Sequence, residues 1–323
     1  MREEFFARVG SKITKSKRRT RRISTNRYRD SLCLSCGNLQ LTIAVLCATI
    51  CRMKGIILVN AYDKNKAQLY KIDRMQTELV KLGAEVPVLS NDGFLASVEN
   101  GKIDCRIPDA DFVLYFDKDK YVATMLEKRG VRLFNRAKAT EICDDKMLTH
   151  IVLADSGVPM PDTLSGALCY DSRAVVSQEY LRQATQMLGL PLVVKQCYGG
   201  FGGQVALAKS QDELEKIVNE WKTKPYLFQR YVAQSYGKDM RVIVIGGKVV
   251  CGMTRQNQTD FRSNVQLGGV GSPCDVPKRI ADMCVKAAEV IGLDYCGVDV
   301  LLGDEPQICE VNSNAMFGEA ERA

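Results

Sequence analysis

The stretch GVDVLLGDEPQICEVN (residues 297–312) consists of two short apolar runs joined by a polar turn. If the chain forms a hairpin that turns at Asp304 and Glu305, Asp299 lies directly opposite Glu310. Side chains at opposed positions share one face of the sheet, with Cβ atoms about 5 Å apart. Asn312, two residues beyond Glu310, points to the same face. The pattern therefore predicts that two carboxylates and an amide oxygen meet at one end of a sheet.

Such a group of oxygens is typical of a metal site. Two carboxylates this close repel each other unless a cation neutralises them, and oxygen ligands of this kind suit Mg²⁺. The alternative is a solvated polar face, but the surrounding strand residues are valine and isoleucine. We therefore predict that Asp299, Glu310 and Asn312 bind magnesium.

A second motif, PLVVKQCYGGFGGQVALA (residues 191–208), places Lys195 at the end of an apolar strand and four glycines after it. A positive charge beside backbone without Cβ atoms can approach phosphate groups closely. The pattern lacks the Gly-Lys-Ser/Thr ending of a P-loop. A flexible hairpin is the alternative, and the metal hairpin downstream favours the phosphate interpretation.

Two arginines lie in polar surroundings farther along the chain. Arg241 follows Asp239 in GKDMRVIVI, and Arg262 precedes Asn264 in TDFRSN. A guanidinium suits a planar anion such as a carboxylate or a phosphoryl group. The alternative for each arginine taken singly is a surface salt bridge with no role in binding.

Charge is distributed unevenly along the 323 residues, which carry a formal net charge of +7. Residues 1–52 hold 12 Lys and Arg against 3 Asp and Glu, whereas the other 271 residues hold 33 against 35. A hydrophobic content of 46% and this length predict two or three globular domains. The basic character belongs to the first segment, so nucleic-acid binding is not expected of the body.

Residues 1–52 are predicted to be a disordered basic extension, and we interpret Met53 as the functional start. Nucleic-acid contact through this arm is the alternative function. An apolar run at residues 39–51 is too short to span a bilayer. A zinc site is disfavoured, because the second pair is spaced wrongly for a knuckle; the cysteines concerned are Cys33, Cys36, Cys47 and Cys51.

The remaining nine cysteines, from Cys105 to Cys309, are scattered singly through apolar runs. This usage predicts free thiols in a reducing, cytoplasmic compartment. His150 is the one histidine, and we expect it on the surface or in helix packing. Histidine-based nucleophilic or metal chemistry is therefore not predicted.

The organisation of the body changes near residue 144. Before it, strands alternate with helices, and one helix is predicted from apolar residues at spacings of three and four, with Gly83 closing it; these are Leu69, Ile72, Met75, Leu79 and Leu82. No G-x-G-x-x-G turn follows the first strand, so a dinucleotide site is not expected. Beyond residue 144 the pattern is mixed α+β.

The ordered set of motifs resembles the RimK-like α-L-glutamate ligases of the ATP-grasp superfamily. It runs from about Asn135 to Phe317 and comprises Lys146 and the stretches VVKQCYGGFGG, LFQRYVAQSYGKDMRVIVIGGKVV, DFRSNVQLGG, GLDYCGVDVLL and CEVNSN. The resemblance implies an ATP-grasp fold at residues 145–323, with a lid at about 147–225 and an ATP/magnesium lobe at about 226–323. Residues 53–144 resemble the small open α/β pre-ATP-grasp domain of such enzymes.

The resemblance also implies roles for individual residues. The ATP phosphates are contacted by Lys146 and Lys195 and covered by Gly199, Gly200, Phe201, Gly202 and Gly203. The base and ribose are held by Gln229, Arg230, Tyr231, Val232 and Asp239, and the transferring groups are held by Arg241, Arg262, Ser263 and Asn264. Magnesium, which Mn²⁺ can replace, binds Asp299, Glu310 and Asn312. Position 230 is Arg where the family commonly has Glu, but the base contact there is largely through the backbone. The chain ends at FGEAERA, which the resemblance predicts to be short of a final helix.

The implied function is ATP-dependent ligation of a carboxylate to an amine through an acyl phosphate. Glutamate is the expected amino acid, and the amine acceptor is a protein tail, a cofactor or another amino acid. A nucleotide-binding protein without ligase activity is the alternative. No membrane association is expected, and a homo-oligomer is compatible with the pattern.

Overall fold

The computed structural model describes residues 53–316. Residues 53–117 and 121–134 form one compact unit, and residues 118–120 and 135–316 form a second. The division after residue 134 differs from the expected one after residue 144, because the helix that follows packs on the second unit's strands. The predictions for residues 1–52, including the start at Met53 and the zinc cysteines, and for the chain end lie outside the described residues. Between residues 53 and 316, no helix has the length and apolar character needed to cross a bilayer.

The first unit is built around a parallel sheet in the order β2-β1-β5-β6, which confirms the predicted open α/β domain. A separate hairpin, β3-β4, is appended to it. The elements are β1 (Gly55–Val59), α1 (Lys66–Lys81), β2 (Val88–Ser90), β3 (Ala96–Glu99), β4 (Lys102–Cys105), β5 (Phe112–Phe116), α2 (Lys120–Lys128) and β6 (Leu133–Phe134).

Helix α1 buries a different face from the predicted one. Met75 and Leu79 are buried as expected, but Leu69 is 49% exposed and Lys71 is fully buried. The ammonium of Lys71 lies 4.3 Å from the ring centroid of Phe116, an interaction that offsets part of the cost of burying a charge. Burial lowers the pKa of Lys71 to about 7, against the opposing effect of a nearby aspartate. Two polar side chains, Gln68 and Lys71, are therefore buried where the apolar pattern predicts Leu69 and Ile72 to be.

The second unit has mixed α+β architecture, as predicted. Its elements are α3 (Ala137–Asp144), α4 (Lys146–Leu153), β7 (Thr163–Ser165), α5 (Gln178–Leu188), β8 (Leu192–Gln196), β9 (Val205–Ala208), α6 (Gln211–Trp221), β10 (Tyr226–Arg230), β11 (Lys238–Ile245), β12 (Lys248–Gln256), β13 (Val270–Cys274), α7 (Lys278–Ile291), β14 (Tyr295–Leu301) and β15 (Gln307–Asn312).

A four-stranded antiparallel sheet in the order β7-β10-β8-β9 forms the lid with helices α5 and α6. Strand β10 pairs with β8 over five positions, and Tyr226 and Phe228 lie in the lid core. The lid therefore includes residues 226–230, beyond the expected limit at 225. Helix α4 does not belong to the lid. It belongs to the C-terminal lobe described next, since Leu153 packs in the hydrophobic core of that lobe.

The C-terminal lobe is a five-stranded antiparallel sheet, β13-β12-β11-β14-β15, packed against α3, α4 and α7. Asp299 pairs with Glu310, which confirms the predicted register. The connection is a five-residue loop, 302–306, rather than a tight turn at Asp304 and Glu305. The register shifts between Asp299 and Val300, where Val300 pairs with Ile308. Cys309 is therefore the extra residue of a β-bulge, a device that redirects a side chain locally.

Candidate functional site

Lid and C-terminal lobe residues line one open cleft, and clefts of this kind are where small molecules commonly bind. Four predicted site residues are absent from its lining: Gly199, Gly203, Arg241 and Asn312. The predicted residues that do line it are Lys146, Lys195, Gly200, Phe201, Gly202, Gln229, Arg230, Tyr231, Val232, Asp239, Arg262, Ser263, Asn264, Asp299 and Glu310.

Asp299 is 3% exposed and is held by two guanidinium groups. Arg241 donates from Nε to Oδ1 and from Nη2 to Oδ2, both at 2.7 Å. Nη2 of Arg255 lies 3.0 Å from Oδ2. Burial alone would raise the pKa of Asp299, but the two guanidinium groups outweigh it and lower the pKa below the usual range. The carboxylate is therefore ionised at neutral pH.

Arg255 connects this carboxylate to a second one, and sequence reasoning missed it. The side chain is 3% exposed, and Nε donates to Oδ1 of Asp239 at 2.8 Å, while Nη2 contacts the other oxygen. Burial opposes the charge, yet Asp299 and Asp239 raise the pKa of Arg255 overall. Strand register is the signal that could have identified Arg255. Asp239 pairs with Arg255 across β11 and β12, and Arg241 pairs with Asp299 across β11 and β14.

Asp239 and Arg241 each have an ion-pair partner inside the lobe. Their predicted contacts, ribose for Asp239 and a transferring group for Arg241, stay predictions. The partnerships follow from strand pairing, since directly opposed side chains on one sheet face lie within contact distance.

Two lysines extend toward the same hairpin. Nζ of Lys146 donates to the carbonyl of Gly199 at 2.8 Å and lies 3.7 Å from Oε1 of Glu310. Nζ of Lys195 donates to Sγ of Cys309 at 3.3 Å. Burial raises the pKa of the Cys309 thiol, and Lys195 opposes that rise only in part, so the sulfur acts as a neutral acceptor. Sequence reasoning missed Cys309 because the bulge that redirects it has no local signature.

The glycine loop is held by residues of the C-terminal lobe. Arg262 Nη1 donates to the carbonyl of Gly202 at 2.7 Å and to that of Val205 at 3.2 Å. Gly202 has a φ of +76°, and a Cβ there would lie 2.8 Å from Oδ1 of Asn264. The left-handed backbone at this position favours glycine, since a Cβ would strain it. Phe201 is 55% exposed and also has a positive φ, so the loop carries backbone strain at its tip.

The last two residues of β10 are Gln229, whose amide is buried in the cleft wall, and Arg230, whose charged group bonds to other lid residues. Gln229 is 2% exposed, and its Nε2 lies 3.0 Å from Nε2 of His150 and 2.9 Å from Oγ1 of Thr163. The guanidinium of Arg230 is bonded to Asp162 and to the carbonyl groups of residues 187 and 188. His150 is 7% exposed, so the surface interpretation was wrong and it contacts a cleft residue.

A sequence model of the RimK-like ATP-grasp domain matches residues 143–323. The chain belongs to the RimK-like ATP-grasp family.

Individual relatives of this RimK-like chain agree with that assignment. Human N-acetylaspartylglutamate synthase A is 39% identical over 72% of the chain and 61% of its own length. Human β-citrylglutamate synthase B is 36% identical over 74% of the chain and 63% of its own length. The chain thus spans about three fifths of the length of these curated relatives.

D-alanine–D-alanine ligase from Bacillus anthracis shares the fold, with a TM-score of 0.62 and 20% identity over 83% of the chain and 88% of that structure. The family match and this likeness confirm the predicted ATP-grasp fold.

The hairpin of this RimK-like protein fits a magnesium ion. Among residues 53–316, no cluster of three or more His, Cys, Asp and Glu side chains suited to a metal is found. The hairpin instead supplies the carboxylates of Asp299 and Glu310 and, from the half-buried Asn312, an amide oxygen as a third oxygen donor. Mg²⁺ characteristically binds one or two carboxylates and keeps several waters, so this donor set suits it.

The buried histidine predicts a pH dependence of stability. Burial and the ammonium of Lys195 lower the pKa of His150 to about 4, whereas an unfolded histidine titrates near pH 6.5. Between these values the unfolded state binds more protons, so stability decreases as pH falls. We expect His150 to account for a loss of about 2 kcal/mol between pH 7 and pH 5.

The measurement is the unfolding free energy of the wild type and of His150→Leu at both pH values. The variant is expected to lose less stability on acidification. Equal losses in both proteins would show that His150 does not titrate in this way.

Proposed function

We propose that this protein is an ATP-dependent carboxylate–amine ligase that forms an amide bond through an acyl phosphate. One observation carries the proposal: the opposed carboxylates of Asp299 and Glu310 lie in the same cleft as the ammonium groups of Lys146 and Lys195. A triphosphate needs both cationic side chains and a cation bound by carboxylates, and this cleft supplies them together. The family membership of the chain supports the same reaction class.

The roles proposed for the residues rest on the family resemblance of their motifs and on their charges. Lys146 and Lys195 neutralise the phosphate oxygens, and the glycine loop from Gly199 to Gly203 covers them. Asp299, Glu310 and Asn312 hold magnesium, which when bound neutralises charge that develops on the transferring phosphoryl group. Mn²⁺ has similar oxygen preferences and is proposed to substitute. The backbone of residues 230–232 contacts the adenine edge.

Covering the phosphates also protects the intermediate. An acyl phosphate hydrolyses if water reaches it, and Arg262 holds the glycine loop against the C-terminal lobe through two carbonyl groups. The loop thereby excludes water while the amine attacks the activated carbonyl carbon. Arg262, Ser263 and Asn264 line the cleft next to this loop, where they orient the phosphoryl and acyl groups.

We propose glutamate as the substrate that supplies the amine, in place of the separate amine acceptor expected from the sequence. Both relatives are named for products that contain glutamate, and citrate carries carboxylates but no amine, so glutamate must provide the nitrogen in β-citrylglutamate. A similar division of roles here makes the phosphorylated partner a carboxylic acid. Free thiols at all nine cysteines from Cys105 to Cys309 support a reducing, cytoplasmic location for the reaction.

The test is phosphate release from ATP and Mg²⁺ by the full-length protein. Glutamate is offered with a panel of carboxylic acids that includes citrate, N-acylated amino acids and short peptides, and each compound is also offered alone. Release is expected only when glutamate and a carboxylic acid are both present.

Lys195→Met is expected to lower that release at least about tenfold, because one cationic phosphate contact is lost. Lys209→Met makes the same change at an exposed position of the lid and is expected to retain activity. A folded protein that binds ATP but releases no phosphate with any pair would contradict ligation of these substrates.

A further inference from the structure

We propose that His150 and Thr163 are positioning residues that fix the amide of Gln229, so that its carbonyl oxygen accepts a hydrogen bond from the 6-amino group of adenine. The pair would thereby select ATP over GTP. The inference rests on the proposed function only in requiring that the cleft bind a purine nucleotide.

Thr163 determines which way the Gln229 amide faces. A hydroxyl group has one proton to donate, and Oγ1 of Thr163 donates to the carbonyl of Pro161 at 2.9 Å. The hydroxyl oxygen of Thr163 can therefore only accept a hydrogen bond from Gln229, whose Nε2 lies 2.9 Å away. Nε2 of the amide, rather than Oε1, must therefore face Thr163.

His150 receives the second proton of the same nitrogen. Its Nε2 lies 3.0 Å from Nε2 of Gln229, and an amide nitrogen can only donate. The pKa of about 4 makes the ring neutral at pH 7, so Nε2 can accept while Nδ1 carries the proton. In a protonated His150, Nε2 would carry a proton and could not accept a hydrogen bond from Nε2 of Gln229. Both Nε2 protons of Gln229 are thus assigned to protein acceptors.

The carbonyl oxygen of Gln229 is left for a ligand. In the described part of the chain, no group donates a hydrogen bond to Oε1 of Gln229. Gln229 lines the cleft and directly precedes the backbone proposed to contact adenine. The amide therefore offers a fixed acceptor beside the base.

A fixed acceptor distinguishes the two purines, because adenine has a donor at position 6 and guanine has an acceptor. An unrestrained glutamine could rotate its amide by 180° and serve either base. With both amide protons engaged, rotation would place Oε1 against a lone pair of Thr163, whose proton is held by Pro161, and would require His150 to change tautomer. Leaving a buried polar group unpaired is expected to disfavour GTP by about 10- to 100-fold.

The experiment compares ATP and GTP affinities of the full-length protein by calorimetry with Mg²⁺ present. Thr163→Val and His150→Leu are each expected to lower the ratio of ATP to GTP affinity by about tenfold, and the double variant is expected to lower it further. Thr163→Ser keeps the hydroxyl group and is expected to restore the ratio. Thr185→Val, on an exposed turn of α5, is the matched control.

The ratio separates a positioning role from a structural one, since general loosening of the cleft weakens both nucleotides alike. An unchanged ratio in both Thr163→Val and His150→Leu would overturn the inference, and so would a wild type that binds both nucleotides equally. If the wild type bound neither, the proposed function would fail with it. Thr163 is only partly buried, so its variant tests the idea even if the His150 variant unfolds.

Discussion

Replacing Arg255 by Met is expected to lower the free energy of unfolding of the larger unit by about 3–5 kcal/mol. Arg255 is 3% exposed, and its guanidinium contacts the carboxylates of both Asp239 and Asp299. Within residues 53–316, its removal deprives Asp239 of its one guanidinium partner and leaves Arg241 as the one such partner of Asp299. An uncompensated buried charge costs far more than the intact pair contributes, which is why the loss is large.

Thermal unfolding measures this effect, and the transition of the larger unit should fall by about 6 °C or more. Arg173→Met is the matched control, because the Arg173 side chain is 89% exposed and pairs with a half-exposed aspartate. Exposed pairs contribute about 0–1 kcal/mol, so the control should unfold near the wild-type temperature. Similar shifts in the two variants would contradict the structural role given to Arg255.

Replacing Glu310 by Gln is expected to reduce phosphate release about 100-fold or more, while stability changes little. The substitution preserves size and removes the charge that opposes Asp299 across the hairpin. Glu310 is partly exposed, with 27% of its side chain accessible, and its charged partner Lys146 is 3.7 Å away. The folded state therefore depends little on this carboxylate, whereas a proposed magnesium ligand is lost.

Binding of Mn²⁺ in the presence of ATP, followed by electron paramagnetic resonance, separates metal binding from catalysis. Glu310→Gln is expected to bind Mn²⁺ more weakly than the wild type. Asp304→Asn makes the same chemical change in the exposed loop of the same hairpin and should bind Mn²⁺ normally. If the two variants bind the ion alike, Glu310 is not a metal ligand.

Much of the candidate site could be predicted because its parts are local. The pairing of Asp299 with Glu310 follows from a period-two pattern on both sides of a short loop, and the glycine loop follows a strand that carries Lys195 near its end. Helix α1 shows the limit of such reasoning. Its spacing of three and four is right but its buried face is shifted: Lys71 is buried beside the ring of Phe116, and no pattern within the helix reports on that neighbour.

The residues that prediction missed depend on partners distant in sequence. His150 contacts Gln229 across 79 positions, and Lys195 contacts Cys309 across 114. Arg255 becomes notable only when the registers of β11, β12 and β14 are known together. In each case the side chain is ordinary in its local context, and its neighbours give it a role.

By itself, the sequence determined the pairing of Asp299 with Glu310, the glycine loop after the strand that carries Lys195, and the family, because local periodicity and ordered motifs carry that information. Only the tertiary structure decided that β10 belongs to the lid, that Arg241 and Arg255 share Asp299, and that His150 and Thr163 hold Gln229. The physical reason is that hydrogen bonds and ion pairs act over a few ångströms in space, whereas a motif records only distance along the chain.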